Sequence, residues 1–154
     1  VSHKKSDKLS TIPQLIRVQI QRLPNELRTA MQVADLAISG GLCDSNSLKL
    51  VRLAGEKFPE RSCLLVVGFA FPPTIEPSGN KVQKPSLPRE HAWIRFDGRD
   101  HDPTWEQTGW PVETLRYYEA LSLSPADLPR PPAQNSGGLP RLHRLAEELG
   151  IDFC

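Results

Sequence analysis

The 154-residue chain is poor in the residues that most often betray a function. It has three cysteines, at positions 43, 63 and 154, and no Cys-x-x-Cys pair among them. Its four histidines are scattered. Together these make none of the zinc-binding spacings. No third nitrogen or sulfur ligand lies near His91, which argues against a zinc enzyme as well. Neither a metal nor a cofactor is expected. Charge of one sign is also missing: 19 Lys and Arg stand against 18 Asp and Glu, a net charge of +1. That removes the electrostatic drive toward nucleic acid or an anionic membrane, so neither is an expected partner. No apolar run approaches the roughly 20 residues of a membrane span. No N-terminal apolar stretch reads as a signal peptide. An odd, low cysteine count suits a reducing compartment, so a cytoplasmic location is expected. No internal repeat is visible.

What is present suits one folded domain. Hydrophobic residues make up 38% and charged residues 24%, enough for a real core in a chain of this length. Nine of the 15 prolines lie in 72–88 and 122–138 and mark boundaries. The organisation expected is a flexible tail over 1–10, a main domain over 11–121, a proline-rich wrap or linker over 122–138, and a helix of the same domain within 139–154. Helical spacing of Ile12, Leu15, Ile16 and Ile20 predicts a helix over 12–23, capped by Thr11. A second is expected over 25–38, capped by Asn25, with Leu27, Met31, Ala34 and Leu36 on one face. Ser39-Gly40-Gly41 breaks it. Cys43 follows, and a largely buried helix is expected over 45–54. The apolar run 63–71 reads as a central strand, with Cys63 a buried small residue. Pro111 opens a short helix over 112–121, and 139–149 is amphipathic. Cys154 is terminal and expected to be exposed.

The densest information lies at Glu90-His91-Ala92-Trp93-Ile94-Arg95-Phe96-Asp97-Gly98-Arg99-Asp100-His101-Asp102-Pro103-Thr104-Trp105. Asp97-Gly98 is a strong type I′ hairpin signal between alternating residues. It predicts pairing of Phe96 with Arg99, Arg95 with Asp100, Ile94 with His101 and Trp93 with Asp102. The pleat then places His91, Trp93 and Arg95 on one face with Asp100, Asp102 and Thr104. Asp102 becomes a diagonal neighbour of His91, at roughly 7–8 Å between backbones. A carboxylate beside an imidazole is the orienting half of a nucleophilic triad. Asp100, opposite Arg95, is assigned to a surface ion pair. His101 points to the other face. Strands over 63–71, 90–96 and 99–105 with helices before them predict an α+β fold, helices packed on a small antiparallel sheet.

Cys43 with Asn46, then His91-Ala92-Trp93, Asp97-Gly98 and Asp102-Pro103-Thr104-Trp105, resembles the transglutaminase-like branch of the papain-like cysteine fold. The resemblance covers about residues 40–105. It implies a Cys, His, Asp order in which the Cys opens a helix and the other two follow on neighbouring strands. The family includes proteases, amidases, deamidases, acyl transferases and inactive members, so the resemblance implies a thiol mechanism without naming a substrate.

The chemistry needs these neighbours. A free thiol is mostly protonated at neutral pH, and an imidazolium and a helix N-terminus both favour the thiolate. The expected roles are Cys43 as nucleophile, His91 as proton shuttle and Asp102 as its orienter. The backbone amide of Cys43 serves an oxyanion, with Asn46 or a loop amide as a second donor. Trp93 and Trp105 are expected to wall a cleft for a protein or peptide substrate. Asp44 departs from the family, because its charge opposes the thiolate if it faces the sulfur. Two other readings stand beside this one. One is an inactive papain-like fold serving as a protein-binding module. The other is an accessory or effector protein, delivered to a host or target cell, whose activity is aimed at one host protein.

Overall fold

An eight-residue run without a charged side chain can sit only where both faces of a sheet are covered. Cys63–Ala70 is such a run and forms β2. The structure, a computed structural model, describes residues 15–73 and 88–127 and the backbone of 152–153. The expected tail over 1–10, the body of the 72–88 loop, the wrap beyond 127, the helix over 139–149 and the position of Cys154 all lie outside the described residues.

On one side of β2 lies β3 (Arg89–Phe96), antiparallel along the whole length of both strands. Asp97 and Gly98, both at positive φ, make the turn, and β4 (Arg99–His101) returns. On the other side of β2 lies β5 (Tyr117–Leu123), and outside it β1 (Ile16–Val18). A two-residue strand, β6 (Asp152–Phe153), pairs with β3 in parallel. The sheet order is β1-β5-β2-β3-β4. The sheet curls: Gln21, just past β1, donates its backbone N–H to the Asp100 carbonyl in β4 at 2.8 Å, bringing opposite edges together.

Two apolar layers follow from the alternation of β2 and β3. One face carries Cys63, Leu65, Val67, Ala92, Ile94 and Phe96, covered by α1 (Asn25–Val33) and α2 (Cys43–Lys57). The other carries Val66, Ala70 and Trp93, packed with Ile20, Trp105, Val112 and Tyr117. A short helix, α3 (Pro103–Gln107), holds Trp105 in that second layer. Glu106 ties α3 to α1 by accepting from the Leu23 backbone N–H at 2.8 Å and pairing with Arg28. The fold is α+β, helices on a curled antiparallel sheet. Among the described residues no helix is long and apolar enough to cross a membrane.

Several expected elements are corrected. The segment expected as a helix over 12–23 contains strand β1; Ile16, Val18 and Ile20 alternate, and a β-branched residue at every second position packs better on a pleated surface. The helix expected over 25–38 stops at Val33, with Ala34 exposed and Asp35 at positive φ. The helix expected from 45 begins at Cys43 and runs to Lys57. The strand expected over 99–105 ends at His101, because Pro103 has no N–H to give a ladder and suits the first turn of a helix. Trp93 therefore has no strand partner at Asp102. The helix expected over 112–121 is a single 3-10 turn, Val112–Thr114, followed by β5. Cys63 is buried and free, as expected.

Gly68 pairs with His91 on β3 and sits at the register shift where β5 bulges against β2. A Cβ there would collide with the Tyr118 carbonyl oxygen, which is backbone and cannot swing away. Gly68→Ala should therefore cost about 3 kcal/mol in urea denaturation, the upper end for overpacking. A loss under about 0.5 kcal/mol would show that the bulge relaxes freely.

Candidate active site

The hairpin register sets the site. Phe96, Arg95 and Ile94 pair with Arg99, Asp100 and His101, as the turn signal predicts. One residue beyond β4, Asp102 caps α3. Its Oδ1 accepts from the backbone N–H of Thr104 and of Trp105, both at 3.1 Å. Its Oδ2 lies 2.7 Å from Nε2 of His91 and 2.6 Å from the Tyr117 hydroxyl, which donates to it. Both His91 and Asp102 are buried, at 1% and 0% exposure.

This arrangement fixes the imidazole. A carboxylate acceptor at Nε2 places a proton on Nε2, which leaves Nδ1 as the basic atom of the neutral ring. Nδ1 is buried and has no hydrogen-bond partner among the described residues. The ring is wedged against Trp105, with centroids 4.2 Å apart, and flanked by Trp93 and Tyr117. Burial, and next the negative charge of Asp102, hold the Tyr117 hydroxyl well above its ordinary range, so it stays a donor.

Cys43 is the first residue of α2 and is buried. The first turn of α2 is pinned to both halves of the His–Asp pair. The Ser47 hydroxyl donates to the carbonyl of Ala92, the residue after His91, at 3.2 Å. The Asn46 amide donates to the Thr104 hydroxyl at 2.9 Å, two residues past Asp102. Its other donation goes to the Ser39 carbonyl at 2.7 Å, and its oxygen accepts from the Ser39 N–H. Asn46 thus spends both amide hydrogens on bracing the helix, which corrects the expectation that it donates to an oxyanion. Asp44 turns back on its own helix and accepts from the Ser45 N–H at 3.0 Å. Cys43 is disulfide-bonded, and Cys63 is free.

Two further expectations change. Trp93 and Trp105, expected to line a cleft, are buried at 0% and 4% exposure and form the packing around His91. Asp100, expected at the surface, is 5% exposed. It takes both Nε and a terminal nitrogen of Arg95, at 2.6 and 3.0 Å, and the Trp93 indole N–H at 3.0 Å. Arg95 reaches on to Glu119 of β5. This pair holds Trp93 in place and ties three strands together. His101 is buried on the other face and its Nδ1 meets the Gln21 carbonyl at 3.0 Å. Tyr117 lies within 112–121, the span the sequence predicts as a helix, so it is not among the expected site residues. The Tyr117-Tyr118 doublet, favoured in strands, is the signal that could have found it.

Among the described residues no group of three His, Cys, Asp or Glu side chains converges as metal ligands would. An open cleft of about 510 Å³ lies between α1 and α3, with Arg22, Arg28, Met31, Leu36, Pro103 and Glu106 in its wall. It adjoins Asp102 through Pro103 and includes neither Cys43 nor His91. Comparison with protein-family models, with curated proteins and with solved structures finds no match.

Glu90 lies beside His91 in β3, on the α2 face, 7% exposed, with one carboxylate oxygen lacking any partner among the described residues. Burial, with the charge of Asp44 adding to it, pushes its carboxyl from an ordinary 4.5 up to about 8. A carboxyl raised on folding stabilises the native state while protonated. That contribution is full below pH 4.5 and is lost as pH rises through about 8. Glu90→Gln should therefore melt with less loss between pH 5 and 8.5 than the parent chain. Parallel melting curves for the two proteins across that range would contradict the assignment.

Proposed function

We propose that this chain is a cysteine-dependent enzyme acting on an amide, as a hydrolase or an acyl transferase, through Cys43, His91 and Asp102. The observation that carries the reading is the state of His91. One ring nitrogen is committed to a buried carboxylate, and the other is buried, basic and unspent among the described residues. A buried polar group without a partner costs about 1–3 kcal/mol, a cost that a reacting partner at Nδ1 would offset. The two side-chain braces from the first turn of α2 support the same reading, because they tie the Cys43 turn to the backbone on either side of the pair.

In the working state the disulfide at Cys43 is reduced. Nδ1 of His91 takes the thiol proton, and the thiolate attacks the carbonyl carbon of the substrate amide. The oxyanion is received by the backbone N–H of Cys43, at the positive end of α2. The amine departs with the proton from Nδ1, leaving a thioester. Water or a second amine then attacks the thioester, giving the acid or the transferred amide and restoring the thiol. Asp102 holds the ring and supports its positive charge while the proton rests on Nδ1. The substrate class is a protein or peptide.

The disulfide favours a second reading, an inactive fold of papain-like type used as a protein-binding module, in which Cys43 is structural. The two are separated by the reduced protein. A panel of peptide and protein amides, assayed under dithiothreitol, should give turnover that Cys43→Ala and His91→Ala each nearly abolish, because nucleophile and base act as one unit. Asp102→Asn should lose about 10²-fold or more in kcat. Tyr117→Phe, which removes one donor from Asp102, should cost about 1 kcal/mol of stability and keep most of the activity. Full activity in Cys43→Ala would end the thiol mechanism.

Asp100→Asn should lower the melting temperature, because it removes one of the two carboxylates paired with Arg95 and loosens Trp93. Its effect on kcat should be smaller than that of Asp102→Asn, measured in the same assay with circular dichroism to check folding. The reverse order would mean that Asp100 orients His91.

A further inference from the structure

The way α2 lies along β3 singles out a carboxyl that the proposed reaction leaves idle. The Ser47 hydroxyl donates to the Ala92 carbonyl, and Phe58, the residue after α2, packs edge-on against Phe96 with ring centroids 5.6 Å apart. Helix and strand therefore run in the same direction. Cys43 lies one turn before Ser47, about 6 Å back along the helix. Glu90 lies one pleat before Ala92 on the same face, about 7 Å back along the strand. The two steps match, so Glu90 falls level with the first turn of α2. Glu90 is more than nine-tenths buried. Its Oε2 neither gives nor receives a hydrogen bond among the described residues.

The state of that carboxyl suits a donor. Asp44 on α2 is the charge that acts on it, and Phe69, its partner on β2, carries none. Burial, and next the charge of Asp44, push the carboxyl up to about 8, so at pH 7 it is a neutral acid. A neutral acid has one O–H to give. The oxyanion has the Cys43 N–H as one donor, while Asn46 has committed both of its amide hydrogens elsewhere. We propose that the Glu90 O–H gives the second hydrogen bond to the oxyanion at the start of α2, which makes Glu90 a fourth catalytic residue. The proposal rests on reading Cys43 as the nucleophile. As the thiolate bonds to the carbonyl carbon, the π pair moves onto the oxygen, between the Cys43 N–H and the Glu90 O–H. When the C–N bond breaks, that pair returns and the carbonyl re-forms as the thioester. Glu90 keeps its proton throughout; the proton that leaves with the amine comes from His91. An ionised Glu90 would set a negative charge against the oxyanion, so the donor works below about pH 8.

Kinetics of the full chain under dithiothreitol test this, on whichever member of a panel of peptide amides and casein turns over fastest. Glu90→Met removes the donor at similar volume. It should lower kcat by about 10²-fold and change KM by less than about twofold, because the oxyanion is absent from the bound ground state. Glu90→Gln supplies an N–H donor that does not titrate and should keep kcat within about tenfold of the parent. The parent's kcat should fall above about pH 8, and that fall should be absent in Glu90→Gln. The Gln profile decides the matter if circular dichroism shows that Glu90→Met does not fold. Iodoacetamide labelling of Cys43 at pH 7 in the reduced proteins should agree within about twofold across parent and variants, since the acid serves the carbonyl oxygen and not the thiol. A labelling loss as large as the kcat loss would move the effect to the thiol and overturn the proposal. So would parent kcat in Glu90→Met, or an unchanged alkaline fall in Glu90→Gln, with Cys43→Ala still inactive. Full activity in Cys43→Ala, or no turnover anywhere in the panel, would instead remove the thiol mechanism and this role with it.

Discussion

The site depends on one carboxylate. Asp102 is fully buried, and its two oxygens face four partners: two backbone N–H groups of α3, the His91 ring and the Tyr117 hydroxyl. A buried carboxylate without such partners is costly by several kcal/mol and would take up a proton instead. With them it does three things at once. It starts α3, turning the chain away from β4; it fixes the tautomer of His91; and it links β3, α3 and β5. Its charge is held by donors and not by a countercharge, which keeps it available to support a positive imidazole.

The floor under this network is made by small residues. On the face of β2 that looks toward His91, the sequence supplies Gly68 opposite His91 and Ala70 opposite Tyr117. A side chain at Gly68 would run into the β5 backbone at Tyr118. Tyr117, which reaches Asp102, and Glu119, which reaches Arg95, lie on the same side of the β5 bulge and in one continuous register with β2. Two parallel ties therefore span the sheet, one at the His91 level and one at the Arg95 level, and each begins on β5.

Legibility in the sequence followed the strength of the local rule. Asp97-Gly98 admits few turn geometries, so it set the register of β3 and β4, and with it the closeness of His91 to Asp102 and of Arg95 to Asp100. The buried run 63–70 identified its own strand, and Gly40-Gly41 announced the start of the Cys43 helix within two residues. Elsewhere the signal was ambiguous. Ile12, Leu15, Ile16 and Ile20 fit a helix, while Ile16, Val18 and Ile20 fit a strand. Only the partner, β5, decides between them. That partner was hidden because Pro111 fits the start of a helix as well as a 3-10 turn. Tyr117 was lost with it. Burial was legible for apolar residues and not for polar ones: Asp100 and Asn46 look like surface residues until their hydrogen-bond partners are known. The pairing of the chain's end with β3 is non-local, and no pattern within two residues could announce it.

The two apolar layers divide the proposed machinery. Cys43 belongs to the layer of α1 and α2, and the His91 ring packs with Trp93, Trp105 and Tyr117 in the other. Side-chain braces from Asn46 and Ser47 tie α2 to Thr104 and to the Ala92 carbonyl, beside the His91–Asp102 pair. Proteins open in cooperative parts before they unfold as a whole. Here a partial opening that lifts α2 from the sheet would break the Asn46 and Ser47 braces while leaving the hairpin, the carboxylate and the ring intact. Heat or denaturant would then undo those braces before it melts the sheet. Amide hydrogen exchange in the first turn of α2 would report that opening more closely than exchange in β2.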